Sequence, residues 1–203
     1  MSLKTTIAYI FYLFTSWTLF RFFFSFPEVF DELFFKPLIW LSPVVFLIIH
    51  RKRKLIPLGI QKSNFYRNIR VGVFFSFVLF TELILLKLFL GQKILFRGFN
   101  LYLLLISIAT GFVEEVTFRG FIMNQLRKYV GGLKANVVTS VLFLLIHLPM
   151  VVFVTNANYS QIGAFLFLSA SLGFVEGIVY LKTNGVVASI FSHSLWNFLN
   201  TLI

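Results

Sequence analysis

Seven long apolar stretches separated by short polar segments constrain this chain more than any other feature. Each stretch is close to the ~20 apolar residues that a helix needs to cross a bilayer. A segment in lipid must satisfy its own backbone hydrogen bonds, which an α-helix does and an isolated strand does not. We therefore predict an all-α, polytopic helical membrane protein. Its predicted spans cover residues 7–26, 33–50, 71–90, 99–118, 135–154, 161–181 and 185–203.

The composition argues against a soluble globular domain. The chain has 203 residues, of which 59% are hydrophobic and 12% are charged, and a soluble domain carries about twice that charged fraction. The absence of cysteine excludes disulfides, a thiolate nucleophile and a sulfur-ligated metal. We expect one membrane domain over residues 1–203, with about seven to eight transmembrane helices. Within it, residues 1–98 form generic spans and residues 99–203 form a core that carries the motifs described below.

Positive charge is concentrated on one side of the predicted spans. The net charge is +11, and seven of the 18 Lys and Arg residues fall between Arg51 and Arg70. If the N-terminus is cytoplasmic, the outer loops hold only Lys93 and Arg97, as the positive-inside rule requires. We therefore predict a multi-pass protein of the cell membrane, with its N-terminus in the cytoplasm and its C-terminus outside.

The same distribution argues against a nucleic-acid partner. The basic run at residues 51–54 follows a predicted span, where such side chains anchor the topology and contact anionic lipid. We therefore expect the lipid bilayer, and no nucleic acid, as the partner of these charges. The amphipathic stretch at residues 120–129 is a candidate for an eighth helix that lies along the inner membrane surface.

Several ionisable residues interrupt the apolar spans, and such residues are by default functional hypotheses. Four of them have simpler explanations. Arg21 and Lys87 lie near span ends, where long side chains can extend to the headgroups, and Glu82 is close enough to Lys87 for a partial ion pair. Glu176 is near the inner end of its span, within reach of water. The remaining four are Glu114, Glu115, His147 and His193.

The two adjacent glutamates differ in their helical neighbours. Glu115 and Arg119 are four residues apart, which is the spacing of an ion pair along one helix face. Glu114 points ~100° away around the helix and has no such partner there, so it is free for another role. We therefore predict that the two glutamates do not both face the histidines.

Two further pairs share the four-residue spacing. Phe143 can pack its ring beneath the imidazole of His147, and His193 and Asn197 direct an imidazole and a carboxamide to one point. Polar groups on separate apolar helices each cost a few kcal/mol unless they meet one another. We therefore expect these groups and Glu114 to converge, although a buried polar cluster that only locks the helices together is an alternative.

The depth of the polar groups places the predicted cavity. A helix rises ~1.5 Å per residue, so depth is counted in residues from the cytoplasmic end of each span. His193 lies about eight residues from that end and His147 about twelve. Glu114 lies about four residues from it, or more. On this count, the three side chains meet at a cavity that opens to the cytoplasmic half of the bilayer.

A carboxylate beside an imidazole, with a second imidazole and an amide opposite, can activate water and stabilise an oxyanion. Those are the requirements of amide hydrolysis without a covalent nucleophile. His147, His193 and a glutamate could instead bind zinc with water in the open position. The sequence does not separate these two mechanisms, but it lacks the H-E-x-x-H zinc motif because His147 is followed by Leu148.

The three motifs, in this order, resemble those of the CPBP family of intramembrane endopeptidases, which includes CAAX prenyl proteases and bacteriocin-processing or immunity proteins. The chain reads E-E-x-x-x-R over residues 114–119, F-x-x-x-H over 143–147 and H-x-x-x-N over 193–197. The resemblance covers residues 101–203. It implies about eight helices around a cone-like cavity at the cytoplasmic side.

The resemblance also implies a role for each motif residue. Glu114 would be the general base and His147 its partner. His193 and Asn197 would stabilise the oxyanion. Supporting roles would fall to Glu115, Arg119 and Phe143. The family is often described as metalloproteases, yet a glutamate-activated water needs no metal. Zinc, held by Glu114, His147 and His193, therefore stays an alternative.

The expected activity is hydrolysis of peptide bonds in a peptide or prenylated-protein substrate. Two alternatives belong to other classes. One is a non-catalytic scaffold or immunity protein that keeps the motifs for packing. The other is a small proton-coupled transporter with Glu and His relays, which the lack of an internal repeat disfavours.

Overall fold

A computed structural model describes residues 2–50 and 65–203 of the chain. All long elements within these ranges are helices, and the ranges contain no strand, so the predicted all-α class is confirmed. The basic run at residues 51–54 lies outside the described residues. The long helices are α1 (Leu3–Phe23), α2 (Glu28–His50), α3 (Phe65–Phe89), α4 (Leu101–Val130), α5 (Gly132–Phe153), α6 (Tyr159–Thr183) and α7 (Val186–Thr201).

Five of these helices, α2 to α6, are long and apolar enough to cross a membrane. The chain is therefore a multi-pass membrane protein, as predicted. Helices α1 and α7, which the sequence also predicts as spans, are not among the five. With 16 residues, α7 is about 24 Å long at ~1.5 Å per residue, which is shorter than a ~30 Å hydrocarbon core.

Polar residues set the helix boundaries. The side chain of Asn100 accepts hydrogen bonds from the first amides of α4, and Asn158 forms a reciprocal capping box with Gln161 at the start of α6. Helix α4 is separated from α5 by Gly131, whose φ of +81° is readily adopted only by glycine. Helix α6 ends at Asn184 in the left-handed conformation. At Gly131 and at Asn184 the next helix begins within one or two residues.

The helices run alternately in opposite directions, which gives the bundle two ends. At one end, Arg67 Nη2 donates to the Lys182 carbonyl oxygen (3.2 Å) and Arg127 Nη1 donates to Asn184 Oδ1 (2.9 Å). This end, here termed the basic end, contains the helix termini at Leu3, His50, Phe65, Val130, Gly132, Thr183 and Val186.

The other end is joined by different contacts. The rings of Phe22 and Phe153 lie 5.3 Å apart, and the amide of Arg97 donates to the carbonyl oxygen of Leu202 (2.8 Å). This end, here termed the opposite end, contains the helix termini at Phe23, Glu28, Phe89, Leu101, Phe153, Tyr159 and Thr201.

Helix α7 packs between α3 and α4 and also contacts α6, while α5 packs against α6 and α1. Gly111 allows the close approach of α4 and α7, because a Cβ at this position would lie 2.9 Å from the backbone nitrogen of Ser194. That approach brings the middle of α7, including His193, against the glutamates of α4.

Four expectations about individual segments are wrong. Residues 120–129 do not form a separate surface helix, because α4 continues through them to Val130 and most of them are buried. Arg21 is buried in an ion pair with Asp31 and does not extend to the headgroups. Glu82 accepts from Ser171 Oγ (2.7 Å) and not from Lys87. Glu176 is fully buried and out of reach of bulk water.

Candidate active site

Glu114 lies at the centre of a polar cluster inside the bundle. The residue is 2% exposed, and its carboxylate faces one group from each of three other helices. Lys36 Nζ of α2 lies 2.9 Å from Oε1, His147 Nε2 of α5 lies 4.0 Å from Oε1, and His193 Nε2 of α7 lies 3.6 Å from Oε2. The structure thus brings together the glutamate and both histidines of the sequence motifs.

The backbone changes its helical geometry where the site is built. Helix α4 widens to π-type hydrogen bonding over Val116–Met123, directly after the two glutamates. Helix α2 does the same over Asp31–Phe35, directly before Lys36. π-type turns inside α-helices occur frequently at functional sites.

His147 is oriented by its own helix. Its Nδ1 lies 2.6 Å from the carbonyl oxygen of Phe143, and because a carbonyl oxygen only accepts, Nδ1 carries the hydrogen. In the neutral imidazole, Nε2 then carries a lone pair, and this atom faces Glu114 Oε1 at 4.0 Å. The ring of Phe143 lies 4.8 Å from the imidazole, so the predicted packing of these two side chains is present.

His193 contacts both glutamates, which the sequence analysis did not foresee. Its Nδ1 lies 2.7 Å from Glu115 Oε1, while its Nε2 faces Glu114 Oε2. The hypothesis that only one glutamate faces the histidines is therefore wrong. Adjacent side chains on a helix diverge, but the imidazole is wide enough to meet one with each ring nitrogen.

The predicted ion pair between Glu115 and Arg119 is present. Arg119 Nη1 lies 2.9 Å from Glu115 Oε1, and both side chains are buried. Arg119 Nη2 also donates to the carbonyl oxygen of Gly173 on α6 (2.7 Å), and its guanidinium lies 4.8 Å from the ring centre of Phe143. This pair therefore links α4, α5 and α6. It also holds the Glu115 carboxylate that accepts from His193.

Asn197 lines the same cavity as Glu114 and the two histidines. The cavity has a volume of about 200 Å³ and is lined by Glu114, His147, His193 and Asn197, among others. Asn197 is half-buried, and it is one turn from His193 on α7. Glu114 and the other three residues thus face one space large enough for a few atoms of a substrate and water.

Lys36 and Glu32 are site residues that the sequence analysis missed. Lys36 Nζ lies 2.6 Å from Glu32 Oε1, and Thr110 Oγ1 donates to Glu32 Oε2 (2.7 Å). Both side chains line the same cavity as Glu114. The four-residue spacing of Glu32 and Lys36 at the start of an apolar stretch is the available signal, but Glu32 lies just before the predicted span at residues 33–50.

The donor arrangement does not fit a zinc site. Within residues 2–50 and 65–203, no group of three His, Asp or Glu side chains is arranged to hold a metal ion. Moreover, the Lys36 ammonium lies 2.9 Å from Glu114, so a fixed positive charge already contacts the carboxylate that would bind the cation. The charge distribution around Glu114 therefore suits water activation without a metal.

The motif-bearing part of the chain matches one known family. The family model for type II CAAX prenyl endopeptidase Rce1-like proteins matches residues 96–199, which is slightly more than half of the chain and includes every motif residue. No curated protein and no solved structure matches the chain. Lys36 and Glu32 lie outside the matched range.

Proposed function

The chain belongs to the Rce1-like family of type II CAAX prenyl endopeptidases, and on this premise we propose that it is an intramembrane peptide hydrolase with Glu114 as general base. The observation that carries the proposal is the placement of Glu114 between His147 and His193 in a cavity. A packing role alone does not require polar groups to face an open space, since buried polar groups normally satisfy one another directly.

We propose that Glu114 and His147 hold the attacking water. The 4.0 Å gap between Glu114 Oε1 and His147 Nε2 admits one water bridged to both atoms. One hydrogen of this water points to the carboxylate and the other to the Nε2 lone pair. As its oxygen attacks the peptide carbonyl carbon, one proton passes to Glu114. That proton then passes to the leaving amide nitrogen, and the C–N bond breaks to give an amine and a carboxylic acid. The acid then gives its remaining proton to the amine, which leaves a carboxylate and an ammonium group.

The developing oxyanion would be stabilised from the α7 side of the cavity. The Asn197 carboxamide is a neutral donor there, and His193 donates from Nε2 when its ring carries both protons. The Glu115 contact keeps Nδ1 occupied, so the ring presents Nε2 to the cavity. Preorganised donors of this kind are usually the largest single contribution to acyl-transfer catalysis.

Lys36 is proposed as a positioning residue for the general base. It contacts Glu114 through Oε1 and is itself held by Glu32. This arrangement compensates the negative charge of Glu114 inside the membrane and fixes the rotamer of its carboxylate. We therefore expect Lys36 to act through Glu114 and not on the substrate.

We also propose that the chain lies in the cell membrane with its N-terminus in the cytoplasm. The basic end contains the termini of α3, α4 and α6 that carry Arg67, Arg127 and Lys182. The positive-inside rule assigns this end to the cytoplasm. The proposed substrate is a peptide, with or without a lipid modification.

The test is cleavage of a fluorogenic peptide library by the purified protein in proteoliposomes. The wild-type protein is compared with Glu114→Gln and with Glu82→Gln as a matched control. Glu82 is also a glutamate on an apolar helix, but it binds Ser171 and does not line the cavity. We expect activity in the wild type and the control and none in Glu114→Gln. Equal activity in all three proteins would contradict the assignment of the base.

A further inference from the structure

Glu176 of α6 carries a buried carboxyl group that the proposed mechanism does not use. The residue is fully buried and is not among those that line the cavity around Glu114. Neither of its carboxyl oxygens makes a hydrogen bond within residues 2–50 and 65–203. Buried polar groups in folded proteins are nearly always hydrogen-bonded, so the state of this carboxyl group needs a physical explanation.

Helix α6 is closely packed against two other helices at the level of Glu176. Ser189 Oγ of α7 donates to the backbone carbonyl oxygen of Glu176 (3.1 Å). At the next residue, Gly177, an added Cβ would overlap Asn136 Oδ1 of α5. The carboxyl group is therefore shielded from water and from lipid. In such an interior, an ionised carboxylate without a partner has a large free-energy cost.

The strongest charged neighbour of Glu176 is another carboxylate. Glu115 acts on the charge of Glu176 more strongly than Arg119 does, and both belong to α4. Ser192 of α7 has its hydroxyl close to the same carboxyl group but outside hydrogen-bond geometry. The surroundings of Glu176 therefore disfavour a second negative charge.

The guanidinium of Arg119 already has other partners. Its Nη1 lies 2.9 Å from Glu115 Oε1, and its Nη2 donates to the carbonyl oxygen of Gly173 (2.7 Å). If Glu176 were also ionised, two carboxylates would share one guanidinium in an interior of low dielectric constant. Neighbouring buried carboxyl groups avoid this situation when one of them keeps its proton.

Glu115 has a free acceptor that such a proton would satisfy. Its Oε1 accepts from Arg119 and His193. Its Oε2 is buried and makes no hydrogen bond within the part of the chain that the structure describes. A carboxylate only accepts, whereas a protonated carboxyl group also donates. One proton on Glu176 would therefore supply the missing donor and remove the excess negative charge.

From these observations we propose that Glu176 is a neutral carboxylic acid that donates a hydrogen bond to Glu115 Oε2. It would be a positioning residue for the proposed hydrolase, so this role rests on that function. Its hydrogen bond fixes the Glu115 carboxylate, whose Oε1 holds Nδ1 of His193 and so presents Nε2 to the cavity. Because Glu176 does not line the cavity, it acts on the reaction only through Glu115 and His193.

Infrared difference spectroscopy tests the protonation state of Glu176 without an activity assay. The C=O stretching band of a carboxylic acid is separate from the two bands of a carboxylate. Wild-type protein in proteoliposomes is compared at neutral pH with Glu176→Gln and with Glu28→Gln, in which an exposed glutamate is changed as the control. We expect Glu176→Gln to lose the acid band and Glu28→Gln to lose carboxylate intensity.

Two outcomes of this comparison would overturn the proposal. One is a loss of carboxylate intensity, and not of the acid band, in Glu176→Gln. The other is a Glu176→Gln protein that does not fold, because an amide keeps the size and the hydrogen-bond donor of a neutral acid and should therefore be tolerated.

Removal of the donor tests the positioning role. Glu176→Met occupies a similar volume without a hydrogen bond, Glu176→Gln restores a neutral donor, and Glu82→Met is a control away from the cavity. We expect Glu176→Met to lower kcat about tenfold with KM unchanged, since a hydrogen bond to a charged group has an energy of this order. Glu176→Gln and Glu82→Met should keep a kcat close to that of the wild type. A Glu176→Met protein with wild-type kcat would overturn the positioning role.

Solid-state NMR of protein with isotope-labelled histidine separates this inference from the proposed function. The Nδ1 signal of His193 should shift in Glu176→Met and stay unchanged in Glu176→Gln, while the signals of His147 stay unchanged in both. An unchanged His193 signal in Glu176→Met would overturn the action through Glu115. If the wild type cleaves no peptide, the proposed function fails, while the infrared and NMR results still decide the state of Glu176.

A second variant covers the case in which Glu176→Met does not accumulate. Glu176→Asp keeps the acid but shortens the side chain by one methylene group, which withdraws the donor from Glu115. We expect the same shift of the His193 Nδ1 signal in this variant. An unchanged signal would again overturn the proposal.

Discussion

His193 and Glu115 are joined by a 2.7 Å contact between Nδ1 and Oε1. The same carboxylate oxygen also binds Arg119 at 2.9 Å. One buried atom thus serves both the ion pair that links the helices and the imidazole that faces Glu114. Glu115 is therefore more than a counter-charge for Arg119, because it sets which nitrogen of His193 is presented to the cavity.

Substitution of the two adjacent glutamates by glutamine is expected to have different effects on activity and stability. Glu114→Gln should abolish cleavage and leave the protein folded, because the amide has the same size and Glu32 still holds Lys36. Glu115→Gln should lower the free energy of unfolding by about 3 to 5 kcal/mol, the usual effect of removing one partner of a buried ion pair.

Thermal unfolding and peptide cleavage are measured side by side for both glutamate variants. Because His193 also depends on Glu115, any Glu115→Gln protein that folds should cleave more slowly as well. A fully active Glu114→Gln together with a stable but inactive Glu115→Gln would reverse the two roles.

Removal of the Lys36 ammonium tests its positioning role. Lys36→Met should reduce kcat by about 10²-fold, because loss of the contact releases the Glu114 carboxylate from its oriented rotamer. KM should change little if Lys36 does not touch the substrate. Lys87→Met is the matched control, since Lys87 is also a lysine within an apolar helix but donates to the Ile203 carbonyl oxygen (2.9 Å). A large increase in KM with an unchanged kcat would instead indicate substrate binding by Lys36.

Asn197 is expected to contribute to the transition state only. Asn197→Ala should lower kcat by about 10²- to 10³-fold, the usual cost of removing one oxyanion donor, with unfolding temperature nearly unchanged because the side chain is only half-buried. Single-turnover cleavage measures the chemical step, and Asn156→Ala in an exposed loop is the control. An unchanged single-turnover rate would remove Asn197 from the proposed mechanism.

The close approach of α4 and α7 makes Gly111 sensitive to substitution. Gly111→Ala should destabilise the protein by about 1 to 3 kcal/mol, as overpacking does, because its Cβ would lie 2.9 Å from the Ser194 backbone nitrogen. It should also reduce activity by moving His193 away from the glutamates. Gly163→Ala, on the same kind of apolar helix but with nothing within 4 Å of the added Cβ, should change stability by no more than about 0.5 kcal/mol. Equal unfolding temperatures for the two variants would contradict the packing argument.

Hydrophobic length and spacing along the chain determined the helices and the motif pairs. A span is recognisable because about 20 apolar residues are enough to specify it without any partner. Similarly, the Glu115–Arg119 and Phe143–His147 contacts follow from a four-residue spacing on one helix. Both pairs are local, which is why the sequence alone predicted them.

The contacts between helices were decided only by the tertiary structure. Lys36 meets Glu114 across 78 positions of the chain, and His193 bridges two glutamates whose divergence on their own helix had argued against it. The continuation of α4 to Val130 places Glu114 near the middle of a 30-residue helix. Such relationships depend on how far each helix extends and how it rotates against its neighbours, and helical spacing within one segment carries no information about either.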